Sequence, residues 1–363
     1  MKDQSSRPRN ESEQTEPAFT PLGTPPEPPV RSRRGDIIHT SPELAVGEGD
    51  VRSAESGAEI VAGTSLWKDA WRRLLKNKLA VFGMIVVCLI LIASLAGPYI
   101  ISWVTGYSYS TIPEDAALTK SFPPFTAPDG SFSWTHPMGT DDSGRDMLAR
   151  VLIGGRISMM VGLISTFVSL MIGISFGSVA GYLGGRVDNI MMRVVDVLYA
   201  LPYMMIVIVL LAFFGGRSPL GQLVLLFIAL GAVSWLTMAR IVRGQIISLK
   251  NQEFVLAARA TGVSTTKIIF RHLVPNTLGP VIVYATLTIP SVMLQEAFLS
   301  FLGLGVQAPL ASWGSLSSDG IRTLAIYPWQ LIFPGVTMAL ALFSLNFMGD
   351  GLRDALDPQT RKV

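Results

Sequence analysis

Residues 251–276 have the sequence NQEFVLAARATGVSTTKIIFRHLVPN and form a polar, basic segment between two long apolar runs. The pattern predicts two short helices joined by a turn. Asn251 can cap the first helix, in which Glu253 occupies the first turn, and Gly262 can adopt the left-handed conformation that ends it. Pro275 is expected to stop the second helix. Such a segment at a membrane surface, small on one face and basic on the other, suits docking to a partner.

The composition is that of a membrane protein. Of the 363 residues, 49% are hydrophobic and 15% are charged, whereas soluble domains have about 25% charged residues. Cys88 is the only cysteine, so an intrachain disulfide and a structural metal site built on cysteines are excluded. The sequence contains no GxxxxGK[ST] phosphate-binding loop. We therefore expect no catalytic, cofactor-binding or metal-binding residues in this chain, and no nucleic-acid partner.

Six apolar stretches predict six transmembrane helices, because about 20 apolar residues cross a bilayer. They are residues 79–104, 157–183, 189–214, 220–238, 281–302 and 329–347. Pro202 lies within the third stretch and predicts a kink there. The fold class is therefore an all-α integral membrane protein, with a five-helix core over residues 157–350 that contains the polar segment 251–276.

Four further segments flank or connect these spans. Residues 1–64 are rich in Pro, Glu, Ser and Gly and predict a disordered cytosolic tail. Residues 65–78 predict an amphipathic interfacial helix that lies along the membrane. Residues 105–156 predict an extracytoplasmic loop, and residues 351–363 a cytosolic C-terminal tail.

The distribution of basic residues predicts the orientation. Segments on the side of the N-terminus carry fifteen Lys and Arg near the spans, and those on the other side carry six. The positive-inside rule then places both termini and residues 251–276 in the cytosol. Arg145, Arg150 and Arg156 lie close to a span on the other side and count against this orientation.

Three charged residues fall within the spans. Arg193 and Asp196 lie three residues apart on one helix face, and we favour a local ion pair over a proton site because buried charges are normally paired. Glu296 lies toward the outer third of the fifth span. We favour a packing role for it over a place in the translocation path, since such residues face the bundle interior.

Glycine spacing in the second span predicts close helix packing. Gly173, Gly177 and Gly181 recur every four residues and form one ridge of small residues. Bundle packing explains this ridge without a pore.

Residues 251–276 resemble the cytoplasmic signature loop of ABC importer permeases, written roughly as E-A-A-x3-G-x9-I-x-L-P. Ala257, Ala258, Gly262 and Pro275 occupy their positions with the spacing intact.

This sequence departs from the signature at three of its positions. Leu256 stands in place of the glutamate, His272 in place of the isoleucine and Val274 in place of the leucine. A charged contact at the first of these positions would have to come from Glu253 or Arg259, or be absent.

Three other stretches are similar to dipeptide, oligopeptide and nickel permeases, and specifically to the C-type subunit of the permease pair. They are HPMGTDDSGRDMLARVLIGGRIS (136–158), QEAFLSFLGLGVQAPLASWG (295–314) and NFMGDGLRDALDP (346–358). The resemblance extends over about residues 65–358.

The resemblance implies a type I ABC importer permease fold in a bacterial plasma membrane and an ATP-driven peptide importer. The implied partners are a second, homologous permease subunit, one or two cytosolic ATPase subunits that hold ATP and Mg²⁺, and an extracytoplasmic substrate-binding protein. The implied ATPase contacts are Glu253, Ala257, Ala258, Arg259, Gly262 and Pro275, in a helix laid into a groove of the ATPase.

Two other functions stay open at this point. A nickel or other small-solute permease would share the same motifs. A stand-alone, ion-coupled secondary transporter or channel would not need the cytosolic segment. A membrane enzyme lacks any candidate catalytic set.

Overall fold

The computed structural model describes residues 66–106, 108–112, 120–127, 129–215 and 218–356. This part of the chain is helical apart from turns and two isolated β-bridges in the loop before the second span. The predicted tail of residues 1–64 lies outside the described residues, as do residues 357–363 of the predicted C-terminal tail.

The described helices follow one another with few long connections. They are α1 (Leu66–Lys76), α2 (Lys78–Thr105), α3 (Met147–Leu183), α4 (Gly185–Ala200), α5 (Tyr203–Phe214), α6 (Pro219–Leu249), α7 (Glu253–Ala260), α8 (Thr265–Phe301), α9 (Trp313–Thr323) and α10 (Trp329–Leu356). Helices α2, α3, α6, α8 and α10 are each long and apolar enough to cross a membrane. Helices α4 and α5 pass the same test as a bent pair, and they make a sixth span when the pair is counted as one broken span. The prediction of an all-α membrane protein is confirmed, and the described helices supply five or six candidate spans.

The second span begins earlier than the apolar pattern predicts. Helix α3 starts at Met147, so the predicted loop of residues 105–156 ends at Asp146. The Asp146 carboxylate accepts a hydrogen bond from the Ala149 N–H at 2.7 Å and caps the helix. Helices α6 and α10 also extend past their predicted ends, because polar residues continue both helices beyond the apolar run.

The third span is broken rather than kinked. Helices α4 and α5 meet at an angle of 78°. Pro202 is the N-cap residue of α5. Because proline has no N–H and its ring clashes with the preceding turn, the chain ends α4 and restarts in a new direction.

The glycine ridge of α3 packs against α6, the most extensive helix contact in the described chain. A Cβ on Gly177 would collide with the carbonyl oxygen of Ala239, and one on Gly181 would lie 2.8 Å from that of Arg243. Gly173 makes an equally close approach one turn earlier. The predicted packing role of this ridge is confirmed.

The remaining spans surround this pair. Helix α8 contacts α3, α6, α9 and α10, and α2 lies against α3 and α10. Helix α1 packs on the end of α10 through Ala70 and Leu74, which join Ala80 and Ala355 in a small apolar cluster. The outer faces of the spans expose large apolar side chains such as Ile92 and Phe343, as lipid contact requires.

We predict that Gly177→Leu destabilises the bundle, because overpacking costs about 1–3 kcal/mol. The temperature at which half of the purified protein remains monodisperse in detergent should fall. Gly244→Leu on α6 is the matched control, since a Cβ there has no neighbouring atom within 4 Å. Equal behaviour of the two variants would contradict the packing role of the ridge.

Candidate coupling site and buried polar groups

The polar segment 251–276 contains one separate short helix and the beginning of the fifth span. Helix α7 ends in a turn, and α8 then runs without a stop from Thr265 through Pro275. The prediction that Pro275 ends a second short helix is wrong. A π-helical turn, Ile268–Leu273, ends two residues before Pro275, and its shifted hydrogen bonds let the helix continue past the proline.

The first helix of the segment starts one residue later than predicted. Gln252 rather than Asn251 is the N-cap residue of α7, and Ser264 is the N-cap residue of α8. Neither cap side chain bonds to its helix. Packing therefore has to supply the stability that caps do not.

The end of α7 is a Schellman motif, and here the predicted role of Gly262 is confirmed. Gly262 has φ of 77°, in the left-handed region. The Val263 N–H donates to the Ala258 carbonyl at 3.1 Å, and the Gly262 N–H donates to the Arg259 carbonyl at 3.0 Å. The turn thereby satisfies the last carbonyls of α7 and directs the chain into α8.

An apolar cluster fixes α7 to the spans on either side of it. Val255 and Ala258 of α7 are buried in this cluster. The other buried members are Met238, Val242 and Ile246 of α6 together with Ile268, Leu273 and Val281 of α8. Burying one such aliphatic side chain contributes about 1.5–3 kcal/mol. We call these residues the joint cluster.

Polar contacts tie the same segment to the end of α3. The Arg259 Nε donates to the Tyr182 hydroxyl at 3.2 Å, and its guanidinium lies 5.0 Å from the centre of the Tyr182 ring. The Lys250 ammonium donates to the Gly181 carbonyl at 3.0 Å. The segment is thus held by three helices of the bundle.

The structure separates the predicted contact residues into two groups. Five are exposed: Glu253, Ala257, Arg259, Gly262 and Pro275. Ala258 is 8% exposed and packs in the joint cluster, so its small size serves close packing within this chain. The prediction that Ala258 approaches a partner is corrected accordingly.

Sequence inspection missed an apolar component of the accessible face. Phe254, Leu256 and Phe270 are 37%, 49% and 47% exposed on a segment that is otherwise polar. Exposed apolar groups rimmed by polar ones mark protein contacts. The sequence contained one indication of this apolar face: Leu256 is apolar at the position where the signature has a glutamate.

Two family models match the chain. A family model described as "Binding-protein-dependent transport system inner membrane component" matches residues 173–362. A second, "N-terminal TM domain of oligopeptide transport permease C", matches residues 65–124.

The chain belongs to the binding-protein-dependent transport system inner membrane component family. It is 49% identical over 301 residues to the oligopeptide transport system permease protein OppC of Escherichia coli K12, covering 83% of this chain and 94% of that protein. It is 46% identical over 299 residues to OppC of Haemophilus influenzae, covering 82% and 90%.

The permease is also 43% identical over 299 residues to the dipeptide transport system permease protein DppC of Bacillus subtilis, covering 82% of this chain and 87% of that protein. Among solved structures, the MetNI methionine ABC transporter matches with a TM-score of 0.45 and 19% identity, covering 58% of this chain and 98% of that chain.

The permease pairs Asp196 with a different arginine from the one predicted. The Arg240 guanidinium binds the Asp196 carboxylate at 2.8 Å and lies 4.4 Å from the centre of the Tyr199 ring. The predicted local pair with Arg193 is wrong, because α6 continues past residue 238 and carries Arg240 alongside α4. One turn further along α6, Arg243 forms a two-pronged bond to Asp188 at 2.6 and 2.7 Å.

Two of the arginines that counted against the predicted orientation share one acidic partner. Asp141 binds the Arg145 guanidinium at 2.8 Å and also binds Arg150. One carboxylate offsets one of the two positive charges, so the charge that these two arginines add to this side is reduced but not cancelled.

Glu296 is fully buried at a meeting point of three elements. Its Oε1 accepts hydrogen bonds from Ser300 and Ser312, both at 2.6 Å, and its Oε2 accepts one from Ser158 at 3.4 Å. The Ser158 hydroxyl in turn accepts the Trp313 N–H at 3.0 Å. The carboxylate thus joins α8 to α3 and to the start of α9, which favours the packing role over a place in the path.

We predict that Glu296→Leu loses much of the folded permease, whereas Glu296→Gln retains it. Leucine leaves three hydroxyls without an acceptor in a buried site, at about 1–3 kcal/mol each, while the glutamine carbonyl can still accept from Ser300 and Ser312. Monodisperse yield and substrate uptake per folded protein measure both effects. Normal folding of Glu296→Gln with abolished uptake would instead indicate a proton-carrying role.

Proposed function

We propose that this permease is a transmembrane subunit of an ATP-driven importer of dipeptides or oligopeptides. It forms half of the translocation path and couples that half to cytosolic ATPases. One observation carries the proposal. Residues 251–276 present an exposed, partly apolar face, and the same segment is packed against its own spans through the joint cluster. Relatives at 43–49% identity named for oligopeptide and dipeptide transport support the substrate class.

The assembly we propose contains this permease and three kinds of partner. A second, homologous permease subunit completes the path, one or two ATPase subunits hold ATP and Mg²⁺, and an extracytoplasmic binding protein delivers the peptide. Both termini and residues 251–276 face the cytosol of a bacterial cell. The excess of basic residues on that side supports the orientation, and the family description supports a binding-protein partner.

Coupling works as a helix in a groove. Helix α7 with the start of α8 docks on one ATPase. Leu256, at the position where the signature has an acid, and Phe270 supply apolar contact. When ATP binding closes the ATPases, the segment is displaced. Because the joint cluster fixes it to α6 and α8, these spans rotate with it as rigid bodies and change access to the path.

We predict that Gly262→Asp lowers peptide uptake at least about tenfold, since an uncompensated charge buried in an interface costs more than the 1.4 kcal/mol that a factor of ten requires. A Cβ added at Gly262 has no neighbouring atom of this chain within 4 Å, and aspartate can adopt the left-handed conformation, so the permease should still insert and fold. Gly262→Asn is the matched control, because asparagine has the same shape, no charge and tolerance for the left-handed conformation.

Uptake of labelled peptide, permease level in the membrane and co-purified ATPase are measured together. Normal uptake by Gly262→Asp would contradict the docking assignment. Peptide transport by this chain alone in liposomes without ATP would contradict the proposed function as a whole.

A further inference from the structure

A cavity of about 460 Å³ lies beside the break in the third span, between α4, α5, α6 and α8. Tyr199 and Tyr203 flank the break on its two sides, and Thr237 of α6 also lines the cavity. Its size falls in the range of about 300–1,000 Å³ that small-ligand sites occupy. None of its described lining residues is charged.

Helix α8 contributes a polar face to this cavity. Thr288, Ser291 and Gln295 are spaced by three and four residues and therefore lie on one side of the helix. The neighbouring Glu296 points into the bundle instead, where its three hydroxyl partners hold it.

These side chains leave hydrogen-bonding capacity directed at the cavity. The Thr288 hydroxyl donates to the Tyr284 carbonyl at 2.8 Å, and Ser291 donates to the Leu287 carbonyl at 3.3 Å. Their oxygens remain as acceptors. Within the described part of the chain, the Gln295 amide has no hydrogen-bond partner, so it offers both donors and an acceptor.

Lipid does not suit this face. Polar groups and non-helical backbone at membrane depth are tolerated where they line a polar cavity or are buried in protein. Here the polar stripe of α8 lines the cavity, and so do Tyr199 and Tyr203, which lie on either side of the helix break. Polar, uncharged groups on a transported molecule fit both observations.

The cavity is also adjacent to the coupling machinery. Tyr199 lines the cavity, and the Arg240 guanidinium lies over its ring. Arg240 follows the lining residue Thr237 by one turn of α6, on the side of α7, and binds Asp196. Helices α6 and α8, which form two of its walls, are the spans fixed by the joint cluster.

We propose that this cavity is the permease's contact surface for the peptide in transit, and that it binds the peptide main chain through Thr288, Ser291 and Gln295. The inference rests on the proposed function. All peptides have main-chain N–H and C=O groups. The N–H groups can donate to the Thr288 and Ser291 oxygens, and the Gln295 amide can bind groups of either kind. The absence of charge among the described lining residues lets peptides with acidic or basic side chains pass alike.

The first test changes the charge of the cavity wall. Gln295→Lys and Gln295→Glu are compared with the unmodified permease in cells that produce the full transporter, using labelled trialanine, trilysine and triglutamate. Gln295→Lys should lower the ratio of trilysine to trialanine uptake about fivefold, since like charges about 4 Å apart repel appreciably even in water. Gln295→Glu should do the same to the ratio for triglutamate.

These ratios are internally controlled. Losses of folding or assembly act equally on all three peptides, and the binding protein is the same throughout. Unchanged ratios in both variants, with trialanine still imported, would overturn the inference.

A second test does not depend on a charged variant. In a Cys88→Ser background, Ser291→Cys is compared with Ile92→Cys on the lipid-exposed face of α2. A bromoacetyl tripeptide alkylates an accessible thiol, with bromide leaving as the carbon–sulfur bond forms. Labelling of the Ser291→Cys permease should exceed that of Ile92→Cys at least about tenfold, because bound peptide is held near that thiol.

The outcomes separate the two proposals. Equal labelling of both positions in cells that import trialanine would overturn the cavity assignment and leave the importer function standing. The proposed function would be overturned if neither the unmodified permease nor the Cys88→Ser parent imported any of the peptides. The cavity inference would then fall with it.

Discussion

The joint cluster is the contact on which the rest of the permease depends. It buries Val255 and Ala258 of a short helix against side chains of α6 and α8. An eight-residue helix is marginal in water by itself, and its N-cap side chain makes no bond to it. Packing therefore decides both its existence and its orientation. In the proposed mechanism, a segment stabilised in this way moves together with the spans to which it is packed.

Close packing extends this rigidity into the membrane. A Cβ on Gly177 or Gly181 would lie 3.0 Å from the Cβ of Val242 or Ile246 respectively, so the glycine ridge of α3 presses on α6 next to the joint cluster. Helices α6 and α8 then continue to the polar cavity beside the broken third span. Glu296 fixes the other end of α8 to α3 and α9. In the proposed mechanism, displacement of residues 251–276 is transmitted along α6 and α8 to the cavity walls.

Much of this architecture follows from local sequence. Apolar runs fix the six spans, the glycine spacing fixes the α3–α6 contact, and Gly262 fixes the turn after α7. What escaped prediction depends on tertiary contacts. The partner of Asp196 lies 44 residues away on another helix, and the inward direction of Ala258 depends on where the joint cluster lies. Proline usually stops a helix, but α8 continues through Pro275 after a π-helical turn. The sequence does not reveal this turn, because a π-helical turn has no sequence signature that separates it from ordinary helix.

The most direct test of rigid coupling is a distance measured within this chain. One spin label is attached at Thr266→Cys, in the docking segment, and one at Ser248→Cys, near the end of α6; both positions are exposed. Cys88 is replaced by serine so that no other thiol is labelled. Electron–electron double resonance is recorded on the assembled transporter with and without ATP trapped by vanadate, in samples shown to hydrolyse ATP. Rigid coupling predicts one narrow distance distribution that is the same in both states. A distribution that shifts or broadens on trapping would mean that the segment moves independently of its spans, and would contradict the proposed mechanism.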